Sequence, residues 1–144
     1  MNNIAYLIIK RLIDIFISVS TIILFLPFFI IVSIVIRLET KGPSFFIQER
    51  YGLNKKKIKI IKFRTMYFKQ KNNNISFADE KKDEITKFGY YLRKFRIDEF
   101  PQLFNVLSGN MTIVGPRPEQ IFFAEKFCLQ LDNYEKRFTV KPGL

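Results

Sequence analysis

Asp98 and Glu99 are neighbouring carboxylates inside a strongly cationic stretch: Arg93, Lys94 and Arg96 precede them and Arg117 follows. Phe100, Leu103, Phe104 and Leu107 recur at helical spacing, which predicts a short helix with one apolar stripe, ending at Gly109. In that helix Asp98 is the natural N-cap, Glu99 sits in the first turn, and Pro101 falls where a missing N–H costs nothing. Two acids so placed could do no more than cap the helix and complement its dipole. The surrounding arginines point further, because a helix N-terminus among guanidinium groups is a place for phosphate. Acids at a phosphate site imply one of two chemistries. Either a divalent cation bridges carboxylate and phosphate oxygens, or a carboxylate attacks phosphorus.

Composition narrows the choice. The 144 residues carry a formal charge of +11 and a pI near 9.8, which favours nucleic acid, acidic headgroups or a phosphorylated substrate. The chain has no histidine, which removes Ser-His-Asp and Cys-His catalysis and His-ligated zinc together. The single cysteine, Cys128, lies between Phe127 and Leu129 and reads as a core thiol. Carboxylates, arginines and lysines are what remain for chemistry.

The elements that must position these groups begin with a membrane segment. From Ile15 to Ile36 the chain has 22 residues without a charge, about 33 Å as a helix. Pro27 predicts a kink or break near its middle. Both flanks are basic: Lys10 and Arg11 before the run, Arg37, Lys41, Arg50 and Lys55 to Lys57 after it. Both therefore favour the same side of a membrane, which a re-entrant helix-break-helix satisfies and a simple span does not; the alternative is an ordinary kinked span whose orientation is set by the stronger downstream charge. Asp14, one turn from Lys10 and Arg11, reads as their ion-pair partner.

After the turn Thr40-Lys41-Gly42-Pro43-Ser44, alternation at Phe45 to Arg50 and Lys57 to Met66 predicts a small antiparallel hairpin turning at Tyr51 to Asn54. On it, Lys62 and Arg64 share a face and could present a paired cationic site to a diphosphate. Gln70 to Glu84 reads as an exposed loop. Ile85, Phe88, Leu92 and Phe95 predict a helix that turns Arg93 towards the acids. Glu119 to Tyr134 predicts a second amphipathic helix.

The string Asp98-Glu99-Phe100-Pro101-Gln102-Leu103-Phe104-Asn105-Val106-Leu107, then Gly109, then Val114-Gly115-Pro116-Arg117-Pro118, resembles the signature of the bacterial sugar transferases, the small monotopic phosphoglycosyl transferases. The Gln-Glu-Arg and Lys-Phe-Arg-Thr-Met series between Gln48 and Met66 is similar to the family's as well. The resemblance implies an α+β, mostly helical fold: residues 1–40 a membrane-embedded helix, re-entrant or kinked at Pro27, and residues 41–144 a catalytic domain on the cytoplasmic face of the bacterial inner membrane.

The family transfers a sugar-1-phosphate from a UDP-sugar to polyprenyl (undecaprenyl) phosphate, releasing UMP, with Mg²⁺, as the first membrane step of exopolysaccharide, capsule or lipopolysaccharide assembly. Carried over, Asp98 would be the nucleophile, Asp98 and Glu99 would hold Mg²⁺, and Arg93 and Arg117 would bind phosphate. Membrane lipid is an implied partner and nucleic acid is not. The sequence departs from the family pattern at Leu26, where a serine is usual, at Asn110, where an acid follows the glycine, and at Glu84, where many members carry arginine. The family domain also continues beyond a Pro-Gly like Pro142-Gly143, so the resemblance implies a catalytic domain incomplete at its C-terminus. The competing readings are an inactive truncated transferase and a membrane-anchored basic module binding anionic lipid or nucleic acid.

Overall fold

The computed structural model describes residues 4–68 and 84–144. Its longest element is the helix α1, Ile4–Glu39, long and apolar enough to cross a membrane by length and composition. It continues through Pro27 without interruption, where the sequence predicts a break; the proline removes one N–H from the ladder. Asp14, Ser18, Phe29, Val32 and Ile36 are buried, with Ile22 half-covered between them. Successive positions are three, four or seven residues apart, one or two helical turns, so a single stripe of α1 meets the rest of the molecule. The other faces, including Ile23, Leu24 and Ile31, are exposed.

Both ends of α1 are held by the same folded part. At the N-terminal flank, Arg11 donates to the carbonyls of Val106 (2.6 Å) and Leu107 (2.7 Å). Lys10 donates to Thr112 Oγ1 (2.6 Å) and Val114 O (3.0 Å). Asp14 corrects the sequence expectation: its carboxylate accepts from Thr112 Oγ1 (2.7 Å) and the Ile113 N–H (3.0 Å), not from the cations one turn away. A buried carboxylate gains more from two fixed donors than from lysine and arginine side chains that can themselves reach carbonyls. At the other flank, Ser44 donates to Ser33 O (2.8 Å) and Glu39 accepts from the Phe88 N–H (2.9 Å).

Strands β1 (Phe45–Tyr51) and β2 (Lys57–Phe63) pair antiparallel, with Phe45 opposite Phe63 and Tyr51 opposite Lys57. Asn54 and Lys55 take left-handed backbone angles in the connecting turn. Although the sheet has two strands, β2 is covered on both faces. Ile58 and Ile60 pack on Val106 and Met111, while Phe63 packs among Phe29, Val32, Leu92 and Leu103. Rings of Phe29 and Phe100 lie edge to face across this second cluster, 6.1 Å apart.

The helix α2, Lys87–Lys94, is capped by Thr86, whose hydroxyl accepts from the Gly89 N–H (2.9 Å). Phe88 and Leu92 turn inward as the periodicity predicts, but Phe95 is exposed because the helix has already ended. A 3-10 segment, Ile97–Gln102, leads into α3, Leu103–Leu107. Of the predicted stripe, Phe100 and Leu103 join the core while Phe104 is exposed, because the tighter 3-10 turn changes the phase. Helix α4, Ile121–Gln130, buries Ala124 and leaves Phe123 and Leu129 outside. Cys128 is half-buried, so it is less enclosed than a core thiol. Of the loop predicted over Gln70 to Glu84, all but Glu84 lies outside the described residues.

Candidate active site

Asp98 and Glu99 enter the structure through an unusual backbone turn. Arg96 adopts the left-handed conformation (φ +56°), reversing the chain after α2 and starting the 3-10 segment that carries both acids. Asp98 is therefore inside that segment, not its N-cap, and makes no capping bond from its side chain to the helix that follows. A non-glycine residue in this conformation costs about 1–2 kcal/mol and persists where the surroundings fix it.

The segment is aligned against β2 by Asn105. Its side-chain oxygen accepts from the Ile61 N–H (3.0 Å) and its amide donates to Lys59 O (2.7 Å). The side chain thus completes the open edge of β2 as a neighbouring strand would, and α3 is docked in register. Lys62, one residue further along, then reaches Glu99 with Nζ to Oε1 at 2.8 Å.

Arg117 meets the same carboxylate from the other side, Nη2 to Oε1 at 2.5 Å and Nη1 to Oε2 at 3.2 Å. Its loop is fixed by a close backbone crossing: a Cβ on Gly115 would lie 2.6 Å from Lys141 O and 2.7 Å from Gly143 N. Thr112 also bridges to Gly143 in parallel fashion, and Arg137 donates to Arg117 O (2.6 Å). Glu99, Lys62 and Arg117 therefore form a cation–carboxylate–cation bridge.

The two acids are electrostatically unlike. Burial alone would raise the Glu99 carboxyl, but the hydrogen bonds from Arg117 and Lys62 outweigh it and hold the group at about 2. Asp98 is buried and shifts the other way, up from its ordinary value. Desolvation drives it, and the fields of Lys62 and Arg93 oppose it. Among the described residues Asp98 forms no ion pair.

Lys62 and Arg117, the two partners of Glu99, line a cleft with Arg50, Ile60, Gln102, Pro118 and Leu144, and neither acid is part of its lining. Arg50 donates to Gln48 Oε1 (2.6 Å) and Pro118 O (3.3 Å), and its burial lowers its affinity for its proton. The structure thus brings Lys62 and Arg117 to Glu99, and Arg93 close enough for its field to act on Asp98. Arg93 itself donates from Nε to Thr65 Oγ1 (2.8 Å).

Arg64 is not brought to the acids. β2 ends at Phe63, and the Arg64 guanidinium is bonded to the end of α1, so Lys62 and Arg64 do not form a paired site. Arg50 and Asn105 carry roles that their local sequence did not signal. Arg50 read as a flanking cation and Asn105 as a polar residue of a helix.

A family model described as bacterial sugar transferase matches residues 5–144. The chain is similar to the UDP-N-acetylgalactosamine-undecaprenyl-phosphate N-acetylgalactosaminephosphotransferase of Aeromonas hydrophila, 40% identical over 139 residues, which are 96% of this chain and 33% of that protein. It is 38% identical over 135 residues to the UDP-glucose:undecaprenyl-phosphate glucose-1-phosphate transferase of Klebsiella pneumoniae, covering 94% of this chain and 29% of that one. With a protein of Bacillus subtilis (strain 168) it shares 40% identity over 132 residues, 92% of this chain and 74% of that relative. It therefore spans about a third of the first two relatives and most of the third.

Proposed function

Since the chain belongs to the bacterial sugar transferase family, we propose that it transfers a sugar-1-phosphate from a UDP-sugar to undecaprenyl phosphate and releases UMP. The observation that carries this reading is the division within the acid pair. Glu99 is held ionised between Lys62 and Arg117, which line a cleft with Arg50, while Asp98, next to it, is buried within the field of Lys62 and among the described residues forms no ion pair.

In the proposed reaction the Asp98 carboxylate attacks the sugar-proximal phosphorus of the donor. The bond from that phosphorus to the bridging oxygen breaks, and its electrons leave with UMP, giving a phosphosugar-aspartyl intermediate. An oxygen of undecaprenyl phosphate then attacks the same phosphorus, the acyl phosphate bond breaks, and Asp98 is regenerated as a carboxylate. No proton needs to be removed from either nucleophile near pH 7, which suits a chain without histidine. Arg50, Lys62 and Arg117 would face the negative charge that builds on the departing phosphate, in a site whose dipoles are already fixed.

Among the described residues no group of three or more acids or thiols comes together, and both Glu99 oxygens accept from Lys62 and Arg117, so Glu99 would have to release a cation to join Asp98 on a hard divalent ion. Asp98 and Glu99 would hold Mg²⁺, which when bound would neutralise charge on the donor diphosphate.

Attachment to the membrane from one side is part of the proposal. Lys10, Arg11 and Asp14 precede the apolar run and Glu39 follows it, yet all four bond to the same folded part. A simple span would separate these flanks by about 33 Å of bilayer. Both flanks lying on one folded part supports a helix that enters and returns, or lies shallow, with the acids on the cytoplasmic face.

The test is UMP release by full-length protein in nanodiscs, with a panel of UDP-sugars, undecaprenyl phosphate and Mg²⁺, against Asp98→Asn. Release that needs both the lipid and Asp98 is expected. Release that survives Asp98→Asn would overturn the covalent role, and none from any donor would overturn the transferase reading of this chain.

A further inference from the structure

Lys62, Arg64 and Thr65, at and just past the end of β2, tie three parts of the molecule together. Lys62 reaches Glu99 (2.8 Å). Arg64 turns away to α1, where Nη2 donates to Thr40 O (2.8 Å) and Thr40 Oγ1 (2.6 Å) and Nη1 donates to Lys41 O (2.9 Å), with Ile36 O at 3.4 Å. Thr65 accepts the Arg93 Nε at its hydroxyl (2.8 Å) and the Thr86 N–H at its carbonyl (3.1 Å).

The connection runs in the other direction as well. Glu39, the last residue of α1, accepts the Phe88 N–H (2.9 Å) in the first turn of α2, and α2 carries Arg93 in its last turn. The glycines mark how closely these parts approach. Gly89 rests on the Thr65 carbonyl with no room for a side chain, and Gly42 does the same against the Arg64 guanidinium at φ +117°.

Arg64 is buried at 6% exposure, its Nε has no partner among the described residues, and the Phe68 ring lies 5.8 Å from its guanidinium. Such a charge is costly to enclose. Its planar fork spans several carbonyls at the negative end of a helix at once, which the single ammonium of lysine cannot do.

We propose that Arg64 is a positioning residue: by gripping the Thr40 and Lys41 carbonyls just past α1, and Ile36 O in its last turn, it sets where Lys62 and Arg93 stand against Asp98 and Glu99. Seating of the long apolar helix and assembly of the charged site are then one structural event. The catalytic consequence rests on the transferase reading above; the structural coupling does not.

The experiment combines kinetics and amide hydrogen exchange on full-length protein in nanodiscs, comparing wild type, Arg64→Lys and the milder Thr40→Val, which keeps Arg64 and removes one of its acceptors. For Arg64→Lys, kcat for UMP release falls at least about tenfold while the KM for the UDP-sugar stays within about twofold, the pattern of lost transition-state alignment and not of lost ground-state binding. Exchange at Phe88 and Gly89 quickens about fivefold for each bond lost, and Thr40→Val moves in the same direction by less. A tenfold rise in donor KM with kcat kept would overturn the proposal in favour of a phosphate ligand. Wild-type exchange at Phe88 and Gly89 in both variants would overturn the coupling. Wild type that releases no UMP removes the transferase reading, and the exchange data still decide the coupling.

Discussion

Glu99→Gln removes the negative centre of the Lys62–Glu99–Arg117 bridge while keeping its size. The Glu99 carboxyl is held at about 2, against 4.5 for an unperturbed glutamate. A group lowered on folding contributes stability that is fully present above pH 4.5 and is lost as pH falls towards 2. The 2.5-unit difference corresponds to about 3 kcal/mol at pH 7, trimmed towards about 2 because Arg117 is half exposed and screened by solvent. At pH 2.5 the same linkage leaves under about 1 kcal/mol.

Urea unfolding of wild type and Glu99→Gln, each at pH 7 and pH 2.5, reads this directly. Other carboxylates titrate in both proteins, so the difference between the two isolates Glu99 as long as the sites are independent. A deficit of about 2–3 kcal/mol at pH 7 that shrinks to under about 1 at pH 2.5 is expected. An equal deficit at both pH values would show that the glutamine packs badly and that ion pairing is not the cause. No deficit at pH 7 would refute the idea that Glu99 organises the two cations.

Asn105→Ala leaves the Ile61 N–H and the Lys59 carbonyl without their partner at a buried site, so a loss of about 2–4 kcal/mol in chemical unfolding is expected. Asn105→Asp should restore the bond from Ile61 but not the one to Lys59, and so fall between the two. Gly115→Ala places a Cβ against the backbone of Lys141 and Gly143, neither of which can rotate away. A loss of about 1–3 kcal/mol in thermal or urea unfolding is expected, and a larger fractional loss of UMP release than Gly109→Ala, whose added Cβ meets only side-chain ends of Arg11 and Lys141 and whose cost is backbone strain at φ +81°, away from the Arg117 loop. Equal effects of the two glycine variants would show that the Gly115 crossing does not place Arg117.

The features legible in the sequence are those whose signal is local. The apolar run, the hairpin alternation and the inward positions of α2 all follow from spacing within one element, and the acid pair stood out because of its charge surroundings. The stripe of α1 that faces the folded part was hidden for a physical reason. Apart from Ser18, Ser20, Thr21 and Ser33, every position from Ile15 to Ile36 is apolar, so no periodicity distinguishes the packed face from the exposed one until partners are present. Asp14 misled because a helical neighbour of opposite charge is the default partner, whereas its actual donors lie 98 and 99 residues away. Arg64 misled in the same way. Alternation along β2 put it beside Lys62, but the strand ended one residue earlier and the end of α1 offered it four acceptors.

The phase of the acids was lost to a single residue. Helical spacing from Phe100 to Leu107 made Asp98 a cap, yet the left-handed turn at Arg96 starts a 3-10 segment two residues earlier and places Asp98 inside it. That shift is what separates the fates of two adjacent carboxylates. Successive residues of a tight helical turn point about 120° apart, so one acid can face solvent-side cations while the next turns towards the interior. Glu99 takes the cations and is fixed as an anion. Asp98, given burial instead, keeps a carboxylate supported by its own backbone N–H and by the fields of Lys62 and Arg93, without a cation bonded to it among the described residues. In the proposed reaction one acid organises the site and the other reacts, and the difference between their surroundings is set by backbone geometry, before any substrate is present.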